Sequence, residues 1–145
     1  MKEKELRDLL VKTALEWEQR FAVAPRITDA IAEFDAARLV GTSIRIGEGR
    51  MKEDTAVQRG YDFKKGEIRY QVKANRPSGK HGSKVTLVAK PKNYEWDKLI
   101  WILYDTKYNI AEAYEFTCEQ YKKLFALKRR LSPNDMRRGV KVRQR

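Results

Sequence analysis

At 145 residues the chain has the size of one domain that can bury a core of its own, so neither a metal nor a disulfide is needed for folding. Its single cysteine, Cys118, rules out an internal disulfide, and with His81 as the one histidine it also rules out a zinc site of Cys/His type. The formal charge of +12 points to a polyanionic partner, while the lack of a membrane-length apolar run and of a signal-peptide core after Met1-Lys2-Glu3-Lys4-Glu5 argues against a membrane span or export. A reducing cytoplasm is the expected compartment.

Taken in order, residues 2–21 read as an amphipathic helix with Leu6, Leu10, Thr13/Ala14, Trp17 and Phe21 at helical spacing, packing on the domain or on a second subunit. Pro25 breaks the pattern. Thr28 or Asp29 then caps a second helix that runs to about Val40 and ends at Gly41. Ile31, Phe34 and the alanines form its buried side, with Glu33 at the margin and Asp35 a competitor two positions on. The stretch 41–58 reads as a weak strand and a loop. Strands are predicted at Val57 to Phe63 and Ile68 to Asn75, joined through Lys64-Lys65-Gly66-Glu67, whose glycine suits a tight hairpin turn. A basic loop, Arg76 to Ser83, follows, then a short strand at Lys84 to Ala89. Lys98 to Tyr104 is almost wholly apolar, as expected of a central strand covered on both faces. Asp105 to Asn109 turns the chain into a strand at Ile110 to Phe116. Thr117-Cys118-Glu119-Gln120 has the capping-box pattern that starts a last helix through Tyr121, Leu124 and Phe125, and Cys118 in its first turn reads as structural. The expected architecture is a single α/β sandwich with a mixed sheet: an N-terminal helix (1–25), a core (28–127) and a basic C-terminal tail (128–145).

The charge is unevenly placed. Between Gln71 and Tyr94 stand six basic residues, Lys73, Arg76, Lys80, Lys84, Lys90 and Lys92, and no acid. Lys128 to Arg145 holds eight, Arg137 and Arg138 among them, against Asp135 alone. Such clustering favours nucleic acid over a solubilising surface. Arg76, Lys80 and His81 in the loop, with Lys84 just after it, are placed to meet phosphates. Trp101 reads as core, whereas Tyr94 and Trp96 are open to either core or base stacking.

Chemistry concentrates around Asp62 and the strand Ile68-Arg69-Tyr70-Gln71-Val72-Lys73, which alternates strictly: Ile68, Tyr70 and Val72 on one face, Arg69, Gln71 and Lys73 on the other. The hairpin can return Asp62 beside Gln71 and Lys73. A carboxylate and a carbonyl oxygen are hard ligands suited to Mg²⁺, and a neighbouring lysine can orient water or offset phosphate charge. An acid ending one strand and a (D/E/Q)-x-K triplet in the next resembles the core of the restriction-endonuclease-like PD-(D/E)xK nucleases. The Gln71-Val72-Lys73 variant is similar to that of the methylation-dependent Mrr-type enzymes and of small prokaryotic and phage domains.

The resemblance spans roughly Thr28 to Phe116. It implies a restriction-endonuclease-like sandwich with helices flanking a mixed central sheet, and a cytoplasmic protein of prokaryotic or phage origin. It also implies catalytic residues Asp62, Gln71, Lys73 and a helix glutamate, Glu33, with Mg²⁺ (Mn²⁺ substituting) held by Asp62, Gln71, Glu33 and the Val72 carbonyl. Two departures stand out: no proline precedes Asp62, and Gln71 replaces an acid. The expected activity is Mg²⁺-dependent hydrolysis of DNA phosphodiesters, of restriction or junction-resolving type, by a homodimer with no organic cofactor. The alternatives are a non-catalytic nucleic-acid-binding protein on the same fold, which the neutral Gln71 favours, and an RNA-associated basic protein, which rests on charge alone.

Overall fold

The computed structural model describes residues 1–44 and 60–144. In chain order these form α1 (Glu3–Phe21), α2 (Thr28–Leu39), β1 (Phe63–Lys65), β2 (Ile68–Asn75), β3 (Lys98–Tyr104), β4 (Ile110–Thr117), α3 (Cys118–Phe125), α4 (Pro133–Met136) and β5 (Val140–Lys141). The strands make one sheet in sequence order, β2 and β3 parallel and every other neighbouring pair antiparallel. The fold is therefore α/β with a five-stranded mixed sheet. Among the described residues no helix is long and apolar enough to cross a membrane.

Alternation along β3 explains the layering. Ile100, Ile102 and Tyr104 join Tyr70, Val72, Phe63 and the Ile31/Ala32/Ala36 side of α2 in one core. Leu99 and Trp101 join Trp96, Phe116, Tyr121 and Phe125 in a second core on the opposite face. A strand covered on both sides has no polar face to spend, which is why the run Lys98 to Tyr104 is apolar throughout. Each large side chain fully buried in this way contributes about 1.5–3 kcal/mol. Trp96, like Trp101, is core, with its indole N–H donating to the Asn93 carbonyl at 2.7 Å. Thr117 caps α3, accepting from the Gln120 N–H at 3.1 Å, as its sequence pattern predicts. Burial pushes the Cys118 thiol up, and it donates to the Tyr94 carbonyl, consistent with a structural role.

Several expectations change. The predicted strand at Lys84 to Ala89 is absent: Val88 alone pairs, as a single bridge to Leu131, because this segment crosses the second core and buries only that side chain. The weak strand and loop expected at 41–58 lie outside the described residues from 45 onward, as do the first residues of the strand expected at Val57 to Phe63; of its described part only Phe63 is strand, because the chain bends from Gly60 and β1 runs on through Lys65. Residues 128–144 are not a free tail. Leu131 and Met136 are buried in the second core, Ser132 and Asp135 form a capping box on α4, and β5 pairs with β4. Gly139 allows that return, since a Cβ there would stand 2.8 Å from the Glu115 carbonyl oxygen. Three apolar anchors, these two and Val142 against the first core, make too thin a hydrophobic pattern among many cations to read as folded.

α1 packs on the domain, but through a side turned by about a quarter of the helix circumference from the one its apolar spacing suggests, the two sharing Ala14. Val11 and Ala14 are buried, and charge pairs hold the same side down. Arg7 reaches Asp35 at 3.1 and 2.8 Å and the Tyr108 carbonyl at 2.8 Å, while Glu18 pairs with Arg76 at 2.9 and 3.0 Å. The predicted stripe of Leu6, Leu10, Trp17 and Phe21 faces outward.

Candidate functional site

The hairpin that carries the site is set by two glycines. β1 and β2 pair from Lys65↔Ile68 to Phe63↔Tyr70, so Gly66 and Glu67 make a two-residue turn with Gly66 at φ 59° in its first central position. Gly60, at φ 74°, turns the chain two residues before Asp62, in a conformation that residues with a side chain resist. Asp62 then continues the ladder by one step, its N–H donating to the Tyr70 carbonyl at 2.8 Å.

Beyond Tyr70, β1 gives β2 no further backbone partner, and the Asp62 carboxylate takes over. Its Oδ2 accepts the Val72 N–H at 2.7 Å and the Gln71 Nε2–H at 3.1 Å. Because the N–H and C=O of one strand residue leave on the same side, the Val72 carbonyl faces the same edge as its N–H, toward Asp62. Gln71 and Lys73 pair with Leu99 and Trp101 of β3 and so share a face of the strand.

α2 closes the other side. Asp29, Ala32 and Glu33 from one face of that helix, together with Asp62, Gln71, Val72 and Lys73, line a recess of about 190 Å³. All the residues expected in the site, Asp62, Gln71, Val72, Lys73 and Glu33, therefore meet at one sheet edge. Asp35 does not compete for it. It is buried on the α1 side, where it accepts from Arg7 and from the Tyr104 hydroxyl at 2.6 Å. Burial and the Asp35 charge push the Tyr104 phenol far up, and although burial opposes the Arg7 charge, Asp35 holds that guanidinium above its usual range.

Asp29 is the addition that sequence reasoning missed. The sequence offers it as one of two caps for α2, but Ile27 occupies the N-cap and no side chain caps it, while the Thr28 hydroxyl bonds the Tyr108 hydroxyl at 2.9 Å. The signal was present: Asp29 and Glu33 stand four apart and so share a helix face.

A larger groove, about 810 Å³, meets the recess at Asp29 and is lined by Arg26, Ser78, Gly79 and Lys80 among others. Lys80, His81 and Lys84 are exposed. Arg76, expected at the phosphates, is instead a structural cation. Its side chain is 6% exposed, it is bonded to Glu18 and the Thr106 carbonyl, and it stacks 4.8 Å over the Tyr108 ring. Arg137 is similarly committed, to Glu112 through two 2.7 Å bonds, whereas Arg138 is exposed with its guanidinium 5.9 Å over the Phe125 ring.

Among the described residues no three His, Cys, Asp or Glu side chains come together to hold an ion. A cation in the recess would thus need neutral oxygens as well as carboxylates. The donors present, Asp62 and Glu33 carboxylates, the Val72 carbonyl and the Gln71 amide oxygen after rotation of the amide, are all hard oxygens of the kind Mg²⁺ takes. Compared with known proteins, the chain matches no family model, and no curated protein matches it.

Proposed function

We propose that the chain is a Mg²⁺-dependent DNA endonuclease built on a restriction-endonuclease-like sandwich, with the recess at the β2 edge as its active site. The observation that carries the reading is the convergence of Asp62, Gln71, Val72, Lys73 and Glu33, drawn from a hairpin and a distant helix, on one cavity. In this reading Asp62, Glu33, the Val72 carbonyl and the Gln71 amide oxygen would hold the ion. A bound divalent cation would supply a lowered water pKa and charge to offset the phosphorane. The Lys73 ammonium positions the attacking water or meets a non-bridging phosphate oxygen as negative charge builds on it. Lys80 and Lys84, with Arg26 along the groove, bind the sugar-phosphate backbone. Cutting both strands takes two such sites, so the active species is a homodimer.

A second reading, a nucleic-acid-binding protein without catalysis, draws on the hydrogen bonds themselves. Asp62 already satisfies Val72 and Gln71, an edge-capping role that needs no ion. The two separate by incubating supercoiled plasmid with the protein in Mg²⁺ or Mn²⁺ against EDTA, beside Lys73→Ala. Metal-dependent nicking that the variant loses supports the nuclease. Retarded but uncut plasmid in both metals would leave the binding protein.

A further inference from the structure

α1 has a second, unburied face. Leu6, Leu9, Leu10, Trp17 and Phe21 are each between 41% and 59% exposed and belong to neither core, although the helix is otherwise firmly seated. Rolling the helix to bury them would break the Arg7–Asp35 and Glu18–Arg76 pairs that hold its inner side. The Trp17 and Phe21 rings pack on each other, 4.6 Å between centroids, so they already form one surface. Isolated exposed leucines are ordinary; five large apolar side chains along one helix are an interaction surface.

The geometry points to self-association through this stripe, α1 of one protomer lying antiparallel on α1 of a second copy. The inference deepens the homodimer of the proposed function, but it stands on α1 alone. Two seven-residue series run along the exposed side, Glu3, Leu10, Trp17 and Leu6, Thr13, Arg20, the spacing that lets one helix seat on another.

In an antiparallel pair one series meets the other. Leu10 then packs on the partner's Thr13, Trp17 on the partner's Leu6, and Glu3 faces the partner's Arg20 at both ends. A parallel pair would instead stack Glu3 on Glu3 and Arg20 on Arg20, and would align the helix dipoles. Thr13 does not oppose the packing, because its hydroxyl is turned back onto the Leu9 carbonyl at 2.9 Å. The five side chains present on the order of 500 Å² per copy, so a pair buries about 1,000 Å², the size at which specific interfaces begin. A polyanion gains little on a face whose charges are confined to its ends.

Sedimentation equilibrium of the full chain tests this. The parent is expected at twice its 17.0 kDa mass, and Leu10→Glu/Trp17→Glu at the monomer mass with the parent's circular dichroism, since both positions are solvent-facing in the protomer, and with an unfolding temperature that no longer rises with protein concentration. Orientation is read in a Cys118→Ser background: a mixture of Leu10→Cys and Thr13→Cys chains forms an intermolecular disulfide, and neither variant alone does so comparably. A monomeric parent, or a dimer that survives the double substitution, overturns the proposal. Ready disulfide formation by Leu10→Cys alone overturns the antiparallel arrangement. Because mass is the readout, the dimer can fail while nicking of DNA stands, and the reverse.

Discussion

Asp62 has two separable jobs, one in the sheet and one in the proposed chemistry, and a pair of substitutions can divide them. The two hydrogen bonds that β2 donates to its carboxylate, from Val72 N–H and Gln71 Nε2–H, end on the same oxygen. In Asp62→Asn the amide oxygen placed there keeps both, exchanging charge-assisted bonds for neutral ones, a cost of about 1 kcal/mol. In Asp62→Ala the Val72 N–H, in a residue 9% exposed, loses its acceptor, and the penalty of a stranded buried donor adds to that of the missing bonds, about 3 kcal/mol in total. For a domain of this size that is roughly 3 °C of unfolding temperature for Asn against about 10 °C for Ala. Cleavage should divide differently. The asparagine replaces a carboxylate ligand with a carboxamide, so both variants are expected to lose metal-dependent nicking by several hundred-fold or more, on the order of 4 kcal/mol of transition-state stabilisation. Urea or thermal unfolding supplies the first measurement and plasmid nicking at a temperature where both variants are folded supplies the second. An Asp62→Asn protein that cuts at the parental rate would make Asp62 a sheet-edge cap and nothing more.

Gln71→Glu restores a carboxylate at nearly constant size and is expected to keep or raise Mg²⁺ affinity in calorimetric titration; unchanged or weaker binding removes Gln71 from the coordination shell. The hydrogen bond and charge of Arg76 hold the Glu18 carboxyl below its ordinary 4.5, so this pair's stabilisation is fully present above pH 4.5 and is lost as pH falls through the lowered folded value. Glu18→Gln should therefore unfold about 3–6 °C below the parent near neutrality, with the gap closing below pH 4.5; a gap constant down to strong acid would show that the pair contributes through packing alone. Lys80→Ala/Lys84→Ala should weaken binding to all DNA sequences alike and flatten the slope of log affinity against log salt by about one unit for each phosphate no longer neutralised, whereas an unchanged slope would place DNA elsewhere.

What the sequence discloses depends on whether one physical pattern acts alone. Ile68–Asn75 and Lys98–Tyr104 were legible to the residue because a half-buried strand must alternate and a doubly covered one must be apolar. The clustering of Asp62, Gln71 and Lys73 at one recess followed, since the hairpin brings them together. α1 misled because its buried side is held partly by Arg7 and Glu18, which any hydropathy reading places outside. Arg76 and Arg137 misled for the same reason: a sequence counts a cation as available, and only the fold shows that Glu18 and Glu112 have claimed it. The seat of residues 128–144 rests on three apolar side chains, Leu131 and Met136 in the second core and Val142 against the first, below the threshold of any periodic signal.

The connection between β2 and β3 bears on when the site exists. β3 and β4 are joined through a tight turn at 105–109 and pair along their length, a local and strongly apolar unit suited to forming early. β2 must instead join β3 in parallel across residues 76–97, a connection with no helix to guide it, and such non-local pairing waits for loop closure. Asp62 reaches its place only through β2, and Glu33 only once α2 has docked on the same strand. The recess is thus among the last features to assemble and among the first to open in partial unfolding, so amide exchange at Val72, a member of the first core, should report the integrity of the candidate site before the second core loosens.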